Sequence, residues 1–407
     1  MCLVIFLHFS CSRQMLPATS KLIETTTDST KVAPGDLVPV ISQVVEDTSS
    51  FLVKPGRDSS YNSPDFPVDS SVLDAAFVYL KDEQDTIVII GTGDIMPGTN
   101  FPDSRYLPPG GCAKLFNPVR EVLQSGDVTF GNLEGVFSSN GGTAKKCNNP
   151  KTCYVFRMPD EYLGCILNAG YDVLGVANNH VNDFGYEGRI NTFNLLEESG
   201  VPFAGFITKP STIFEKEGII YGFAAFAPHS GTANLKDYAG VAKIIAELED
   251  SCDIVIVSFH GGAEGKDYQH IPCTDEVYLG YNRGNACKFA HTAVEAGADI
   301  VFGHGPHVTR AMELYQDRLI CYSLGNFCTY ARFNLSGPNG LAPIIKANLS
   351  KTGKFLGGEI IPVYQPSPGG PRPDPQGRVI TKIQDLIEAD FPEGYLQVDD
   401  NGKISIK

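Results

Sequence analysis

Carboxylate, amide and imidazole side chains recur in one kind of place in this sequence, directly after short apolar runs. Carboxylate, amide and imidazole ligands together suit Mn, Zn or Fe better than they suit Ca, which takes oxygen ligands. Two such ions about 3.5–4 Å apart can clamp a phosphoryl oxygen, and a carboxylate can bridge them. The sequence therefore predicts one or two divalent metal ions, with Glu134 as the bridging carboxylate. The candidate metal ligands are Asp94, Glu134, Asn179, His260, His304 and His307.

Each of these signals is weak when it is taken alone. A single Asp after a strand is most often an N-cap, and a single His is most often a satisfied core residue. The joint pattern is more specific, because the chain has only eight His and three of them follow apolar runs. Convergence of these side chains at one place, rather than any one residue, carries the prediction.

The apolar runs are typical of buried strands, because they are short and rich in β-branched residues. Helix-like segments separate several of them, namely PVREVLQ, PDEYLGCILNA, GRINTFNLLEES and KFAHTAVEA. A glycine closes each segment and is free to take the left-handed conformation. This alternation predicts an α/β domain with a substantially parallel sheet, in which ligands bind at the carboxyl edge. The predicted strands are Thr86–Ile90, Asp172–Ala177, Asp253–Phe259, Asp299–Phe302 and Leu319–Leu324, and the closing glycines are Gly126, Gly170, Gly200 and Gly297.

Charge limits the classes of partner. The 407 residues include 32 Lys and Arg against 47 Asp and Glu, which gives a net charge of −15. No run of Lys and Arg is present in the sequence, so we expect no nucleic acid partner and no direct binding to an anionic membrane surface.

The ends of the chain differ in composition from its centre. The apolar run MCLVIFLHFS is too short to span a bilayer and stops at Cys11, which resembles a bacterial lipoprotein cleavage site. We therefore expect a signal segment over 1–11 and an exported, lipid-anchored protein of the cell envelope, on its periplasmic or surface side. Residues 12–84, rich in Ser, Thr, Asp and Pro, are expected to form a linker or loosely packed extension. Residues 365–407 are expected to form a C-terminal extension with an amphipathic helix and a hairpin that turns at Asn401-Gly402.

The positions of several cysteines are consistent with an exported protein. They lie in polar, irregular segments, where exported proteins form disulfides. We expect Cys147 to pair with Cys153 and Cys273 to pair with Cys287. The alternative is that these thiols are scattered small core residues.

Residues 85–364 resemble the CapA family of capsule-biosynthesis and poly-gamma-glutamate synthesis proteins. The resemblance rests on GTGDIMPG, GNLEG, VANNHVNDFG, HGGAEG, GADIVFGHGPHV and SLGNF in this order. It implies a metallophosphoesterase-like sandwich of two sheets flanked by helices, a four-layer αββα fold with a metal site at the strand ends. It also implies that Asn179 lies on the second metal, and that His180 protonates the leaving oxygen or steadies the phosphate.

Three departures from the general metallophosphoesterase pattern bear on activity. Met96 stands where a His is expected, two residues after the first Asp. The second carboxylate is Glu134 rather than Asp, and His304 and His307 are three residues apart rather than two. A single metal, a changed coordination shell and a site without hydrolytic activity all remain compatible with the sequence.

Further residues near these motifs are secondary candidates. Asp183 could orient His180 or form a local Asx-turn, and Asn178 is a candidate for substrate binding. Arg157 could clamp an anionic group or pair with a neighbouring carboxylate. Glu264 could be a substrate contact, a further ligand, a general base or a solvated carboxylate. We expect Asn326 to support the site through backbone hydrogen bonds, and His229 and His270 to be loop residues outside it.

Three functions fit these observations. The first is a metal-dependent phosphoesterase that acts on an anionic phosphoester or surface-polymer substrate. The second is a non-catalytic, membrane-anchored subunit that works with polymer synthesis or export proteins. The third is a lipid-anchored solute-binding module, which rests on the anchor alone and ranks last.

Overall fold

The computed structural model describes residues 86–147 and 153–407. The predicted signal segment over 1–11 and the extension over 12–84 lie outside the described residues. The strands, in chain order, are β1 Ile87–Met96, β2 Val128–Leu133, β3 Val136–Phe137, β4 Arg157–Met158, β5 Val173–Gly175, β6 Phe203–Ala204, β7 Ser211–Lys216, β8 Ile219–Phe226, β9 Ile254–His260, β10 Val277–Tyr278, β11 Tyr281–Asn282, β12 Ile300–His304, β13 Met312–Tyr315, β14 Arg318–Cys321, β15 Asn326–Thr329, β16 Leu341–Leu349, β17 Phe355–Tyr364, β18 Arg372–Pro373, β19 Leu396–Val398 and β20 Lys403–Ile406.

The α-helices, also in chain order, are α1 Ala113–Phe116, α2 Arg120–Leu123, α3 Tyr162–Ala169, α4 Gly185–Ser199, α5 Tyr238–Glu249, α6 Ala286–Glu295 and α7 Arg378–Asp390. Short 3-10 helices span Ser104–Tyr106 and Gly337–Gly340. Among the described residues, no helix has both the length and the apolar character needed to cross a bilayer.

Two sheets dominate the fold. The large sheet has ten strands in the order β19-β20-β17-β16-β1-β2-β5-β6, with β15 beside β1 and β18 beside β17. The small sheet has six strands in the order β13-β14-β12-β9-β8-β7. Strands β1, β2, β5 and β6 run parallel, as do β8, β9, β12 and β14. A substantially parallel sheet was predicted, and parallel pairing occurs in both sheets. In the large sheet the parallel strands extend to the edge strand β6, with antiparallel strands on the other side, and in the small sheet antiparallel strands β13 and β7 flank the parallel ones.

The two sheets pack face to face. Phe130 of the large sheet lies 5.3 Å from the Phe302 ring and 5.4 Å from the Phe223 ring of the small sheet, measured between centroids. Helices α5 and α6 cover the outer face of the small sheet through side chains such as Ile245 and Phe289. Helices α1 to α4 contribute to a second apolar cluster with the other face of the large sheet. The predicted sandwich of two sheets flanked by helices is therefore confirmed.

Glycine ends three of the four predicted helices as expected. Gly170 and Gly200 cap α3 and α4 in the left-handed conformation, and Gly297 follows α6 with a φ of 111°. Gly126 has a different role, since it does not take a positive φ. A Cβ at this position would come within 2.8 Å of the Ile90 side chain, so glycine permits a close approach to β1.

The C-terminal residues are joined to the large sheet. Helix α7 and the hairpin of β19 and β20 form where the sequence predicted them, and Gly402 turns the hairpin with a φ of 89°. β20 pairs with β17, and Ile383 of α7 is buried in the main core. The C-terminal extension predicted over 365–407 therefore adds strands to the large sheet and apolar side chains of α7 to the main core.

Three disulfides lie in the described part of the chain. The predicted pairs Cys147–Cys153 and Cys273–Cys287 are confirmed, and Cys112 pairs with Cys165. The last pair, which links α3 to the turn before α1, was not predicted. The remaining cysteines of the described residues are buried thiols at Cys252, Cys321 and Cys328.

Candidate metal centre

The predicted ligands meet where central strands of both sheets end. His260 and His304 are the last residues of β9 and β12 and face each other in the parallel register. Glu134 directly follows β2. Asp94 differs from the prediction, because β1 continues past it to Met96 and the register with the parallel neighbours β2 and β15 shifts beside it. This irregularity in β1 lets Asp94 enter the site from within a strand.

One amide joins the two carboxylates. Nδ2 of Asn132 donates to Oδ1 of Asp94 at 2.8 Å and to Oε2 of Glu134 at 2.7 Å. Asn178 in turn donates to the Leu133 carbonyl at 2.7 Å and accepts from the His180 amide at 3.0 Å. Asn132 and Asn178 are both buried, and their hydrogen bonds position the side chains of Asp94 and Glu134 and the backbone of His180. Asn178 was predicted to contact substrate, and its buried, hydrogen-bonded side chain gives that prediction no support.

Two imidazoles contact Asp94. Nδ1 of His304 lies 3.1 Å from Oδ1 of Asp94, and Nδ1 of His307 lies 2.8 Å from Oδ2. His307 has a left-handed φ of 56°, and its carbonyl accepts a hydrogen bond from Nδ2 of Asn326 at 3.1 Å. Asn326 therefore supports the site through a backbone hydrogen bond, as the sequence indicated.

A second group surrounds Glu134. Oε1 of Glu134 lies 3.2 Å from Nε2 of His260 and 3.6 Å from Nε2 of His180. Nδ1 of His180 is 2.7 Å from Oδ2 of Asp183, and its Nε2 is 3.1 Å from Nδ2 of Asn179. All of these side chains except that of Asn179 are buried. His180, with Asp183 as its carboxylate partner, therefore lies next to Glu134.

Asp183 is held by residues on either side of the Cys147–Cys153 disulfide. The Phe156 amide donates to its Oδ2 at 2.6 Å, and Nζ of Lys145 lies 2.5 Å from its Oδ1. These contacts come from outside its own turn, which favours the orienting interpretation of Asp183 over a local Asx-turn.

Burial, hydrogen bonds and neighbouring charges shift the pKa values of the ionisable groups in this site. Burial alone would raise the pKa of Asp94, but hydrogen bonds from His304 and His307 outweigh it and hold that pKa well below its usual range. Burial would also raise the pKa of Glu134, and the charge of His260 lowers it to about 2. Burial would lower the pKa of His307, but its hydrogen bond to Asp94 raises that pKa to about 9. Both carboxylates are therefore held in the anionic form, which is the form that binds cations.

The donor atoms fit a metal ion. Glu134, His260 and His307 offer ligand atoms that all lie within 4.8 Å of one another. Several buried polar atoms beside them have no hydrogen-bond partner, although such atoms are almost always satisfied in folded proteins. They include Nδ1 of His260, Nε2 of His304 and Oδ1 of Asn179.

His229 is a loop residue after β8, as predicted, but it adjoins this centre instead of lying apart from it. Its ring centroid lies 6.2 Å from that of His260, and its Nε2 is buried without a partner. Burial and, after it, the charge of Arg283 lower the pKa of His229 to about 2, so its ring is neutral. The position just after the apolar strand β8 is the signal that could have identified it. His270 lies outside, as predicted, and binds Asp390 at 2.7 Å.

The other candidates lie around the centre. Arg157 donates to Oδ1 of Asn100 at 2.6 Å and to the Gly141 carbonyl at 2.7 Å, so within the described residues it binds neutral oxygens and not the neighbouring carboxylate that was one of its two predicted roles. Glu264 forms an ion pair of 2.8 Å with Arg283, so it is not a solvated loop carboxylate. Met96 is buried in the apolar cluster between the large sheet and its helices.

Comparison with known proteins identifies the family. The family model described as bacterial capsule synthesis protein PGA_cap matches residues 88–331. The chain belongs to this family of bacterial capsule synthesis proteins. The matched range covers every predicted metal ligand of this family member.

Curated relatives carry names of the same kind. The chain is 26% identical over 268 residues to the capsule biosynthesis protein CapA of Bacillus anthracis, with 60% of each chain covered. It is 28% identical over 253 residues to the PGA biosynthesis protein CapA of Bacillus subtilis, with 58% of this chain and 61% of the relative covered. The chain therefore spans about three fifths of the length of these relatives.

Solved structures show more distant likeness to this family member. A hypothetical protein from Thermus thermophilus has 15% identity and a TM-score of 0.41, over 69% of this chain and all of the other. A 5′-nucleotidase precursor from the same organism has 12% identity and a TM-score of 0.36, over 69% of this chain and 54% of the other.

Proposed function

We propose that this family member is a metal-dependent hydrolase that acts on a phosphoester during the synthesis of an anionic surface polymer. One observation carries the proposal. The two anionic carboxylates Asp94 and Glu134, linked by Asn132, lie against imidazoles with two unpartnered buried nitrogens, Nδ1 of His260 and Nε2 of His304. An arrangement of this kind is stable only when a cation, or protons, compensate the buried charge.

The ligand set is divided between the two carboxylates. Asp94, with His304 and His307, would hold one ion, and Glu134, with His260 and the amide oxygen of Asn179, would hold or bridge to the second. When bound, one or two ions of Mn, Zn or Fe supply Lewis-acid polarisation of a phosphoryl oxygen.

His180 is the proposed general acid, and it acts at Nε2. Nδ1 donates to Oδ2 of Asp183 at 2.7 Å, which fixes the orientation of the ring. Nε2 is then the nitrogen that would exchange a proton with the substrate. The His180 ring also packs against Phe156 at an interplanar angle of 36°, with centroids 4.4 Å apart, which restricts it further. From this position Nε2 would deliver a proton to the leaving oxygen or contact the phosphate, and Asp183 would stabilise the imidazolium form.

The setting of this reaction is also part of the proposal. Three disulfides in the described residues support export to an oxidising compartment. We propose a lipid-anchored location in the cell envelope through Cys11, together with partners that synthesise or export the polymer. In this proposal residues 1–11 are the signal segment and residues 12–84 are the linker or loosely packed extension.

A hydrolysis assay tests the activity. The full chain, loaded in turn with Mn, Zn or Fe, is expected to hydrolyse bis(4-nitrophenyl) phosphate or 4-nitrophenyl phosphate. His180→Ala should reduce kcat about 100-fold or more with unchanged metal content, because general acid catalysis contributes about 10²–10⁴-fold. His270→Ala, on the exposed His that binds Asp390, is the matched control and should leave kcat unchanged.

Two outcomes would count against the enzyme. A metal-loaded wild-type chain that is inert toward both esters would favour the non-catalytic subunit of a polymer system. Equal loss of activity in His180→Ala and His270→Ala would remove His180 from the mechanism.

A further inference from the structure

An apolar hairpin that the proposed function does not use lies beside the metal centre. Its strands β10 and β11 are antiparallel, with Tyr278 opposite Tyr281, so Leu279 and Gly280 form a two-residue turn. Val277, Leu279 and Tyr281 are 61%, 67% and 67% exposed. Apart from the two chain neighbours, no described atom lies within 4 Å of the Cβ position at Gly280, so the turn projects into open space. We call residues 277–281 the hairpin tip.

The turn has an unusual residue at its first position. Leu279 has a φ of 50° and Gly280 has a φ of 82°, as in a type I′ turn. Such turns favour Asn, Asp or Gly at the first position, because leucine is strained at positive φ. The Leu279 side chain is exposed, so packing of the fold does not account for it either. A strained and exposed apolar residue indicates a contact with something outside the chain.

The base of the hairpin is rigid. The Cys273–Cys287 disulfide closes the segment that contains it. The Arg283 amide donates to the Glu276 carbonyl at 2.7 Å, and the Glu276 side chain accepts from Nη1 and Nη2 of Arg310 at 2.8 and 2.7 Å. Glu276 and Arg310 are both buried. The hairpin is therefore ordered before any contact forms, which lowers the entropic cost of binding.

The hairpin adjoins the metal centre and a further exposed aromatic ring. The Gly262 amide, two residues after His260, donates to the Arg283 carbonyl at 3.1 Å. The Tyr268 side chain is 42% exposed, and its ring lies 5.9 Å from the Tyr278 ring, measured between centroids. The exposed apolar surface thus includes Tyr268, and its base lies near the strand end that supplies His260.

The size and charge of this surface favour a lipid bilayer over a protein partner. The hairpin tip and Tyr268 expose on the order of 400 Å² of side chain, if a full aromatic side chain counts about 150–250 Å². A stable protein interface buries about 800 Å² on each partner, so this surface is too small for one. No Lys or Arg occurs between Cys273 and Tyr281, so the tip has no cation for an anionic headgroup. Exposed Tyr beside Val and Leu is instead typical of a bilayer interface, where the Tyr hydroxyl stays hydrated.

We propose that the hairpin tip inserts into the interfacial region of a zwitterionic lipid bilayer. This inference goes beyond the proposed function, because the contact needs neither hydrolysis nor a metal ion and is separate from the anchor proposed at Cys11. The net charge of −15 opposes approach to an anionic bilayer, whereas insertion of uncharged side chains depends little on salt. A bilayer of phosphatidylcholine is therefore the surface that the tip fits.

Tryptophan fluorescence tests this contact, because the chain contains no Trp. Leu279→Trp places a single indole at the tip of the full chain, which is mixed with vesicles of brominated or unbrominated phosphatidylcholine. We expect the brominated lipid to reduce the emission at least about twofold relative to the unbrominated lipid, since an indole at the bilayer interface lies close to the acyl chains.

Tyr395→Trp is the matched control. Tyr395 is 65% exposed and lines a cavity with Gln316 and Asp317, which form the turn before β14. β14 runs parallel to β12, so this turn lies at the opposite ends of the strands from the metal centre. The emission of Tyr395→Trp should be the same with either lipid.

A second substitution tests whether the tip itself enters the bilayer. Tyr281→Asp, made in the Leu279→Trp chain, adds a charge at an exposed position and should remove the quenching, because a carboxylate opposes transfer into lipid. Tyr281→Phe in the same chain should keep it. Both changes lie at an exposed side chain, so neither removes a core contact.

The outcomes decide between a bilayer and other occupants. Quenching at position 279 but not at 395, lost in Tyr281→Asp and kept at raised salt, supports the inference even for a chain that hydrolyses no ester. Equal quenching at both positions, or none at 279, would overturn it. Quenching that requires phosphatidylglycerol and disappears at raised salt would overturn it as well, since the contact would then be electrostatic. A blue shift of Leu279→Trp without vesicles that grows with protein concentration would assign the tip to a second copy of the chain.

Discussion

The two sheets contribute different chemistry to one centre. Strands and loops of the large sheet supply the carboxylates Asp94 and Glu134, the linking amide of Asn132 and the pair His180–Asp183. The small sheet supplies imidazoles from the ends of β9 and β12. Carboxylate ligands thus come from one half of the sandwich and imidazole ligands from the other. The difference shows that the centre exists only where the two sheets face each other.

This division has an electrostatic consequence. The large sheet alone would bury two carboxylates close together, which repel each other. The small sheet provides the hydrogen bonds and charge that lower the pKa of Asp94 and of Glu134. Packing of the sheets and charge compensation at the site are therefore linked.

The largest effect is expected from the large sheet. Asp94→Asn removes the charge that contacts both His304 and His307, at 3.1 and 2.8 Å. We expect metal affinity to fall by more than about 100-fold, since even the loss of an outer-shell partner costs about 10–100-fold. Metal content of the purified variant, measured by elemental analysis, checks the prediction.

Asp390→Asn is the control for this substitution, because Asp390 also accepts a hydrogen bond from a histidine but lies at His270. Retention of full metal content in Asp94→Asn would remove Asp94 from the ligand set. It would also contradict the claim that the large sheet supplies carboxylate ligands to the centre.

A smaller effect is expected from the small sheet. His304→Gln removes one imidazole ligand and leaves both carboxylates in place. We expect metal affinity to fall by at least about 10-fold, the lower end of the loss of an outer-shell partner, but by less than in Asp94→Asn. A titration of the variant with Zn against a competing chelator measures this change. His291→Gln, on a half-buried His of α6 that binds Glu313 at 2.9 Å, should leave the affinity at the wild-type value. A loss in His304→Gln as large as that in Asp94→Asn would show that the two sheets contribute equally.

The sequence predicted the parts of the site that depend on local order. Short apolar runs followed by Asp, Glu or His placed Glu134, His260 and His304 at strand ends, because the carboxyl ends of parallel strands share one edge. Disulfides between cysteines close in sequence, such as Cys147 and Cys153, were also accessible from spacing.

The sequence did not predict the features that depend on tertiary contacts. Cys112 and Cys165 are 53 residues apart and meet only when α3 packs near α1. The role of Asn132 depends on β2 lying beside β1, which puts its amide between two carboxylates. Arg157 and Glu264 each had several equally plausible partners in the sequence, and only the folded chain selects among them.

One measurement tests the central claim directly. Crystals of the purified full chain are used for anomalous diffraction at the absorption edge of the metal found by elemental analysis. We predict an anomalous peak in contact both with a carboxylate of the large sheet, Asp94 or Glu134, and with an imidazole of the small sheet, His260, His304 or His307. A metal-loaded crystal with no peak between these side chains, or with its peak elsewhere, would contradict the account.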